Sequence, residues 1–184
     1  MNTHNGWVQG YNAQAIASAS GIVLACQVSQ SAADTPLYAP MTDTLASTLA
    51  AAGVTDAVGL VLADAGYWSH DNAAAPGPDR LIATTSGHKQ RQAARQLGPA
   101  SGPPPDGATP EQAMEHRLRA PHGAATYKLR SCTIEPVFGE RKHNRAMRGF
   151  RRRGLPAAQS EWALMNLAHN LLKLREHRTA NATA

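Results

Sequence analysis

Residues 58–67, VGLVLADAGY, decide the fold, because they join a short apolar run to a carboxylate. The first six of these residues carry no charge, which is typical of a strand buried in a mixed α/β sheet. Asp64 follows at the carboxyl end of this strand, where open α/β sheets place ligands and metals. Asp64 also suits an N-cap of the following turn, and the pattern leaves both roles open.

Patterns on both sides of this strand favour the α/β class. Two β-prone runs, 14–18 and 22–29, flank a Ser-Gly turn and predict a hairpin. Apolar residues at helical spacing predict a helix over 41–52, and 81–85 is typical of a further strand. We therefore expect a mixed sheet with flanking helices.

The second half of the chain contains a Pro/Gly-rich insertion. Residues 98–110, GPASGPPPDGATP, exclude regular structure across the middle of 86–126, which we interpret as an insertion or linker. A broad apolar stripe over 159–177 predicts a helix packed on a sheet. Residues 179–184 are expected to form a disordered tail after the domain, which spans 1–178.

Length and composition exclude several classes of protein. The chain has 184 residues, 42% of them hydrophobic, which is typical of one globular domain. No apolar run approaches the ~20 residues that cross a bilayer, and no leader precedes the domain, so we expect a cytoplasmic protein with no membrane partner. Two distant cysteines argue against a disulfide framework or a zinc knuckle. The sequence contains no GxSxG, P-loop or HExxH motif, which argues against an unrelated hydrolase.

Basic charge concentrates in the second half of the chain. Residues 1–86 hold one base and six acids, whereas the remainder holds 17 bases and seven acids. A basic half of this kind suits contact with nucleic-acid phosphates, although a solvated helix face explains a single charge run equally well. The candidate DNA-binding residues of the densest run are Lys142, Arg145, Arg148, Arg151, Arg152 and Arg153.

Glu135 is the second carboxylate with a pattern that suggests chemistry. It follows an apolar residue and precedes Pro136, so we expect it to open a helix that begins at Ile134. A favourable charge on the helix dipole explains it as well. Together with Asp64, it would give two carboxylates from different elements beside basic residues, as two divalent metals need for phosphoryl transfer.

Several motifs occur in a fixed order along the chain and resemble one family. They are GYNAQ at 10–14, LADAGY at 62–67, YxxR at 127–130, IEPVFG at 134–139, Lys142, FxxxGL at 150–155 and ExxxxxLAxNLxK at 161–173. In order and spacing they resemble the catalytic domain of DDE transposases from bacterial insertion sequences. The resemblance covers most of 6–175 and fails only over the Pro-rich insertion.

The resemblance implies an RNase H-like fold in which three acids hold two Mg²⁺ (or Mn²⁺) ions for DNA cleavage and strand transfer at insertion-sequence ends. By position, Asp64 matches the second acid and Glu135 the third, both as catalytic residues and metal ligands. Tyr127 matches a supporting tyrosine, and Arg130 and Lys142 match residues that hold DNA phosphates. The partners implied are transposon ends and target DNA, with a homo-oligomer of the complete protein.

The family's first Asp lies before the GYNAQ segment, where this sequence has no acid. We therefore expect a chain whose sheet is incomplete at its N-terminus and which corresponds to the C-terminal portion of a transposase. Such a chain is expected to be inactive alone. The alternative is a remnant that binds DNA without cleaving it.

Overall fold

The computed structural model describes residues 2–3, 6–7, 10–139 and 149–182. It is a mixed α/β structure, as the sequence predicts. The strands are β1 (Asn2–Thr3), β2 (Gly6–Trp7), β3 (Asn12–Ala17), β4 (Val23–Ser29), β5 (Leu60–Ala63) and β6 (Asp79–Ile82). The helices are α1 (Tyr38–Ala51), α2 (His70–Ala74), α3 (Gly87–Leu97), α4 (Pro110–Arg119), α5 (Pro121–Gly139) and α6 (Leu155–Ala182). Within the described part, the strands form three two-stranded sheets, β1–β2, β3–β4 and β5–β6.

The chain divides into two compact units. The hairpin unit comprises Met1–Ala32, Pro40–Val54 and Ser131–Ala184, and the parallel-strand unit comprises Ala33–Ala39 and Thr55–Arg130. The boundary between the units falls inside α1 and inside α5. Each unit has a hydrophobic core of its own.

The hairpin unit confirms the predicted β-hairpin. β3 and β4 pair antiparallel, and Ser18 N donates to Ile22 O at 2.8 Å across the turn. Gly21 occupies the turn with φ of 79°, a left-handed conformation that glycine adopts without steric cost. The core of this unit joins Val28 of the hairpin to Trp162 and Met165 of α6, so the first part of the apolar stripe predicted over 159–177 packs on strands. The rest of the prediction is wrong, because the side chains of Leu167, Leu171, Leu172 and Leu174 are exposed.

Amide side chains of α6 bind backbone groups of β4. Asn170 accepts from Val23 N at 2.8 Å and donates to Val23 O at 2.7 Å. Gln159 accepts from Val28 N at 2.6 Å. Because an unpaired backbone group is costly to bury, these side chains stabilise the hairpin against the helix.

The parallel-strand unit contains the buried strand that the sequence predicts. β5 pairs parallel with β6, with Leu60 opposite Asp79 and Ala63 opposite Ile82. The sequence predicts a strand over 81–85, whereas β6 runs from Asp79 to Ile82. This strand includes Arg80, which is buried. Its guanidinium donates to Asn72 O at 2.9 Å and to Pro78 O at 2.8 Å, so the buried charge is hydrogen-bonded.

The interpreted insertion, 86–126, contains helical structure at both of its ends. α3 and α4 lie inside it, and α4 begins with a capping box formed by Thr109 and Gln112. Residues 98–109 between these helices have no regular structure, as the Pro/Gly pattern predicts. α6 continues to Ala182, so 179–182, expected in the tail, are helical.

The helix that carries Glu135 begins earlier than expected. The sequence predicts a start at Ile134, whereas α5 starts at Pro121, directly after the end of α4. Pro136 therefore lies inside the helix, where it cannot donate a backbone hydrogen bond. The prediction that Glu135 opens a helix is wrong, and so is its explanation by the dipole of a helix N-terminus.

Candidate active site

Asp64 lies at the carboxyl end of β5, where the sequence predicts a functional carboxylate. Its Oδ1 accepts from Gly66 N at 2.9 Å and caps the short 3-10 helix Ala65–Tyr67. The structure therefore confirms the capping role that the sequence left open. Within the described residues, Gly66 is the one hydrogen-bond donor to this half-buried carboxylate, so its second oxygen can bind another group.

Asp34 lies beside the same glycine, although no pattern in the sequence points to it. A Cβ built on Gly66 would lie 2.6 Å from Asp34 Oδ2 and 3.1 Å from Asp64 Oδ1. Thr35, the residue after Asp34, donates its hydroxyl to Gly66 O at 2.9 Å. This bond ties the segment that carries Asp34 to the turn after β5. Two carboxylates thus flank one glycine.

The two carboxylates also act on a neighbouring phenol. Burial raises the pKa of Tyr67 well above its usual value, and the negative charges of Asp34 and Asp64 raise it further. A phenol that stays neutral adds no third negative charge to this site. Asp34 and Asp64 therefore place two negative charges near Tyr67, and such a pair would attract a cation.

Tyr127 of α5 contacts the strand that carries Asp64. Its hydroxyl donates to Ala63 O at 3.1 Å, one residue before the carboxylate. Burial raises the pKa of Tyr127, with Arg130 opposing this effect and Asp64 adding to it. The Arg130 guanidinium lies 5.8 Å from the centre of the Tyr127 ring, within cation–π range. The structure thus brings Asp64, Tyr127 and Arg130 together in the parallel-strand unit.

Glu135 belongs to the hairpin unit, whereas Asp64 belongs to the parallel-strand unit. Glu135 is exposed on the part of α5 that follows Arg130. Val137, two residues further along, is 1% exposed, so its buried side chain anchors this part of the helix. The carboxylate is therefore accessible on an anchored helix.

The described part of the basic run is a loop before α6. The side chains of Arg151, Arg152 and Arg153 are exposed. The Glu161 carboxylate accepts from the backbone N–H of Arg151 and of Arg152, at 3.1 and 3.2 Å. A fixed backbone with exposed guanidinium groups is suited to bind phosphates. Lys142, Arg145 and Arg148 lie outside the described residues.

The other motif residues make packing contacts. Tyr11 accepts a hydrogen bond from Gly154 N at 3.1 Å, and its ring contacts Phe150 edge to face. Gln14 is buried and accepts the Trp162 indole N–H at its backbone oxygen, at 2.8 Å. Residues of the GYNAQ motif therefore contact α6 and the loop before it, and not the carboxylates.

A divalent ion at this site would need several oxygen ligands. No group of three or more His, Cys, Asp or Glu side chains in the described ranges is placed to hold a metal. Asp34 and Asp64 supply a pair of carboxylates instead. Mg²⁺ is commonly bound by one or two carboxylates together with waters and substrate phosphates, so this donor set fits it.

Tyr127 and Arg130 of α5 thus lie near the carboxylate that follows β5. Residues 105–175 match the family model described as a transposase DDE domain. This range includes Tyr127, Arg130 and Glu135, and it confirms the resemblance to DDE transposases there. The match begins inside the Pro-rich insertion, where the sequence resemblance was expected to fail, and it does not include 10–14 or 62–67.

Other comparisons add no relative. Neither the curated proteins nor the solved structures gave a match. In the described part of the chain, no helix has both the length and the apolar character that crossing a bilayer requires.

Proposed function

We propose that this chain provides catalytic residues of a DDE transposase of RNase H-like fold, which cleaves and joins DNA strands at insertion-sequence ends with divalent metal. One observation carries the proposal. Tyr127, from the segment that matches the transposase domain, contacts the end of the strand that bears Asp64, which lies outside that segment, and Arg130 packs against the Tyr127 ring. Two motifs separated along the chain therefore support one site.

Each residue takes a role from its position. Asp64 and Glu135 would hold Mg²⁺ or Mn²⁺, and Asp34 would supply a further carboxylate beside Asp64. Bound divalent ions would activate the attacking oxygen and stabilise the leaving oxygen in an in-line displacement. Tyr127 fixes the end of β5 through Ala63, which holds the Asp64 carboxylate in position.

The basic residues would hold the DNA. Arg130 and Asp64 both act on the pKa of Tyr127, so Arg130 lies near the carboxylate. It would bind a phosphate next to the reacting bond. Lys142, Arg145, Arg148 and Arg151 to Arg153 would bind phosphates along the backbone. Joining two transposon ends needs two active sites, so we expect the complete protein to act as a homo-oligomer.

A second candidate function is DNA binding without cleavage. The exposed arginines Arg151, Arg152 and Arg153 favour it, because their contact with DNA needs no metal. It requires neither Asp64 nor Glu135. The two functions therefore differ in what they demand of the carboxylates.

The experiment compares Mn²⁺ binding and plasmid nicking in three variants of the full chain. Asp64→Asn and Glu135→Gln should each weaken Mn²⁺ binding in the presence of duplex DNA by at least about 10-fold. They should also abolish any nicking of supercoiled plasmid. Asp56→Asn, which removes an exposed carboxylate from the loop before β5, is the matched control and should change neither.

Two results would contradict the catalytic proposal. One is Mn²⁺ binding that survives both Asp64→Asn and Glu135→Gln. The other is a wild-type chain that binds DNA in a salt-sensitive manner, with Mn²⁺ neither bound nor needed. The second result would support DNA binding without cleavage.

A further inference from the structure

Helix α3 carries a positive charge that the proposed active site does not use. Its bases are Lys89, Arg91 and Arg95, and it contains no Asp or Glu. None of its residues is buried, so the helix contributes little to the core of the parallel-strand unit. A helix with a net charge of +3 and little packing is suited to a partner of opposite charge.

Four side chains of α3 form one groove. His88, Arg91, Gln92 and Arg95 line a shallow, open depression of about 290 Å³ along the helix. Their spacing of three, four and seven residues places them on one face. The two guanidinium groups and the glutamine amide present several N–H donors, as phosphate oxygens require.

Local stability does not account for these charges. Within the described residues, ion pairs engage Arg117 and Lys173 but none of the α3 bases. Arg91 and Arg95 are like charges four residues apart, which destabilises an isolated helix. Lys89 lies in the first turn, where a positive charge opposes the helix dipole. Only Arg95, in the last turn, has a favourable position relative to that dipole.

We propose that the groove of α3 binds the phosphate backbone of duplex DNA, as a contact surface separate from Arg130 and the run 142–153. The inference rests on the proposed function for its choice of polyanion. Its own argument is charge complementarity, because a groove of positive and neutral donors without a carboxylate matches a row of phosphates. The helix therefore extends the DNA path beyond the catalytic residues.

The test is a salt titration of DNA binding by the full chain. Fluorescence anisotropy with a labelled duplex gives the slope of log Kobs against log salt concentration. Each phosphate contact contributes about 0.9 to that slope, so Arg91→Gln with Arg95→Gln should lower it by about 1.8. Glutamine has a helix propensity close to that of arginine, and circular dichroism should show unchanged helicity.

The matched control is Arg175→Gln with Arg178→Gln. It removes the same charge from an exposed face of α6 and should leave the slope unchanged. If the α3 variant retains the wild-type slope, or if the control lowers the slope equally, the α3 proposal is overturned while DNA binding stands. If the wild-type chain shows no salt-sensitive DNA binding, both this proposal and the proposed function fail.

An anionic membrane is the competing partner for the same charges. Vesicles of phosphatidylcholine with phosphatidylserine provide the comparison. Vesicle binding that depends on Arg91 and Arg95, with DNA binding that does not, would overturn the proposal. Loss of DNA binding alone in the α3 variant would support it.

Discussion

At the residue scale, Gly66 is the position on which two carboxylates depend. It separates Asp34 from Asp64, and a methyl group there would displace the Asp34 carboxylate, because its Cβ would lie 2.6 Å from Asp34 Oδ2. The turn after β5 therefore needs a glycine for space and not for an unusual backbone angle. Residues of this kind are invisible to a sequence pattern, since the contact joins segments about thirty positions apart.

Gly66→Ala should destabilise the chain by about 1–3 kcal/mol, the usual cost of overpacking. Urea unfolding of the purified variant measures this change. Gly59→Ala is the matched control, because a Cβ at Gly59 meets nothing within 4 Å. Equal effects of the two substitutions would contradict the account of the carboxylate pair.

The buried tyrosines predict how stability depends on pH. In the folded state the pKa of Tyr67 and that of Tyr127 lie above the ordinary value of 10.0, chiefly because of burial. Above that pH the unfolded chain releases its phenol protons while the folded chain retains them, so the free energy of unfolding falls. Below it, this stabilisation is fully present.

In Tyr67→Phe, the free energy of unfolding should therefore fall less between pH 10 and pH 11 than in the wild-type chain. This window starts at the ordinary tyrosine pKa of 10.0. Urea midpoints at several pH values give this slope. A wild-type chain whose stability is constant across the window, or a variant with an unchanged slope, would show that Tyr67 titrates as an exposed phenol.

The sequence predicts Asp64 but not Asp34, and the difference is physical. Asp64 follows a run whose burial is evident from its composition, so its place at a strand end can be inferred from neighbours in the chain. Asp34 reaches the site through Thr35, whose hydroxyl bonds to Gly66 O. No local pattern encodes that tertiary contact.

At the element scale, the junction of α4 and α5 determines where α5, the helix that carries Tyr127, Arg130 and Glu135, begins. Ala120 leaves α4 in an extended conformation, and Pro121 opens the next helix, a position that proline favours. Gly123 then meets the end of α4, where a Cβ would overlap the Arg117 carbonyl oxygen. The sequence pattern, in contrast, predicts Pro136 as a first-turn proline. One sequence holds two prolines that both suit a helix start, and packing decides between them.

Gly123→Ala should cost about 3 kcal/mol, because backbone atoms of Arg117 cannot move aside as a flexible side chain can. Thermal or urea unfolding measures the loss. Gly139→Ala on the same helix meets nothing within 4 Å and should leave stability unchanged or raise it. A neutral Gly123→Ala would mean that α4 and α5 do not approach each other so closely.

The stability of the chain should depend on the amide side chains of α6. Asn170→Ala removes two hydrogen bonds to Val23 and leaves strand backbone unpaired, at a cost of about 2 kcal/mol. Urea unfolding again gives the value. Leu171→Ala next to it removes a side chain that is 58% exposed and should change stability by less than about 0.5 kcal/mol. If the two variants are equally stable, α6 does not hold β4 through Asn170.

At the scale of the whole molecule, the sequence predicts the order of elements better than their grouping. The hairpin and the buried strand could be foreseen because alternation and apolar runs are local. The division into two units could not, because it runs through α1 and α5 and depends on which core each half of a helix joins. Asp64 belongs to the parallel-strand unit and Glu135 to the hairpin unit, and the catalytic proposal requires both to bind metal.

Metal-directed backbone cleavage tests that requirement most directly. Iron(II) bound in place of Mg²⁺, with ascorbate and peroxide, generates hydroxyl radicals that cut the chain next to the metal. The account predicts cuts beside both Asp64 and Glu135 in the DNA-bound chain, suppressed by excess Mg²⁺ and lost together in Asp64→Asn. Cuts beside only one of the two carboxylates, or cuts at both that persist in Asp64→Asn, would contradict a metal site shared by these residues.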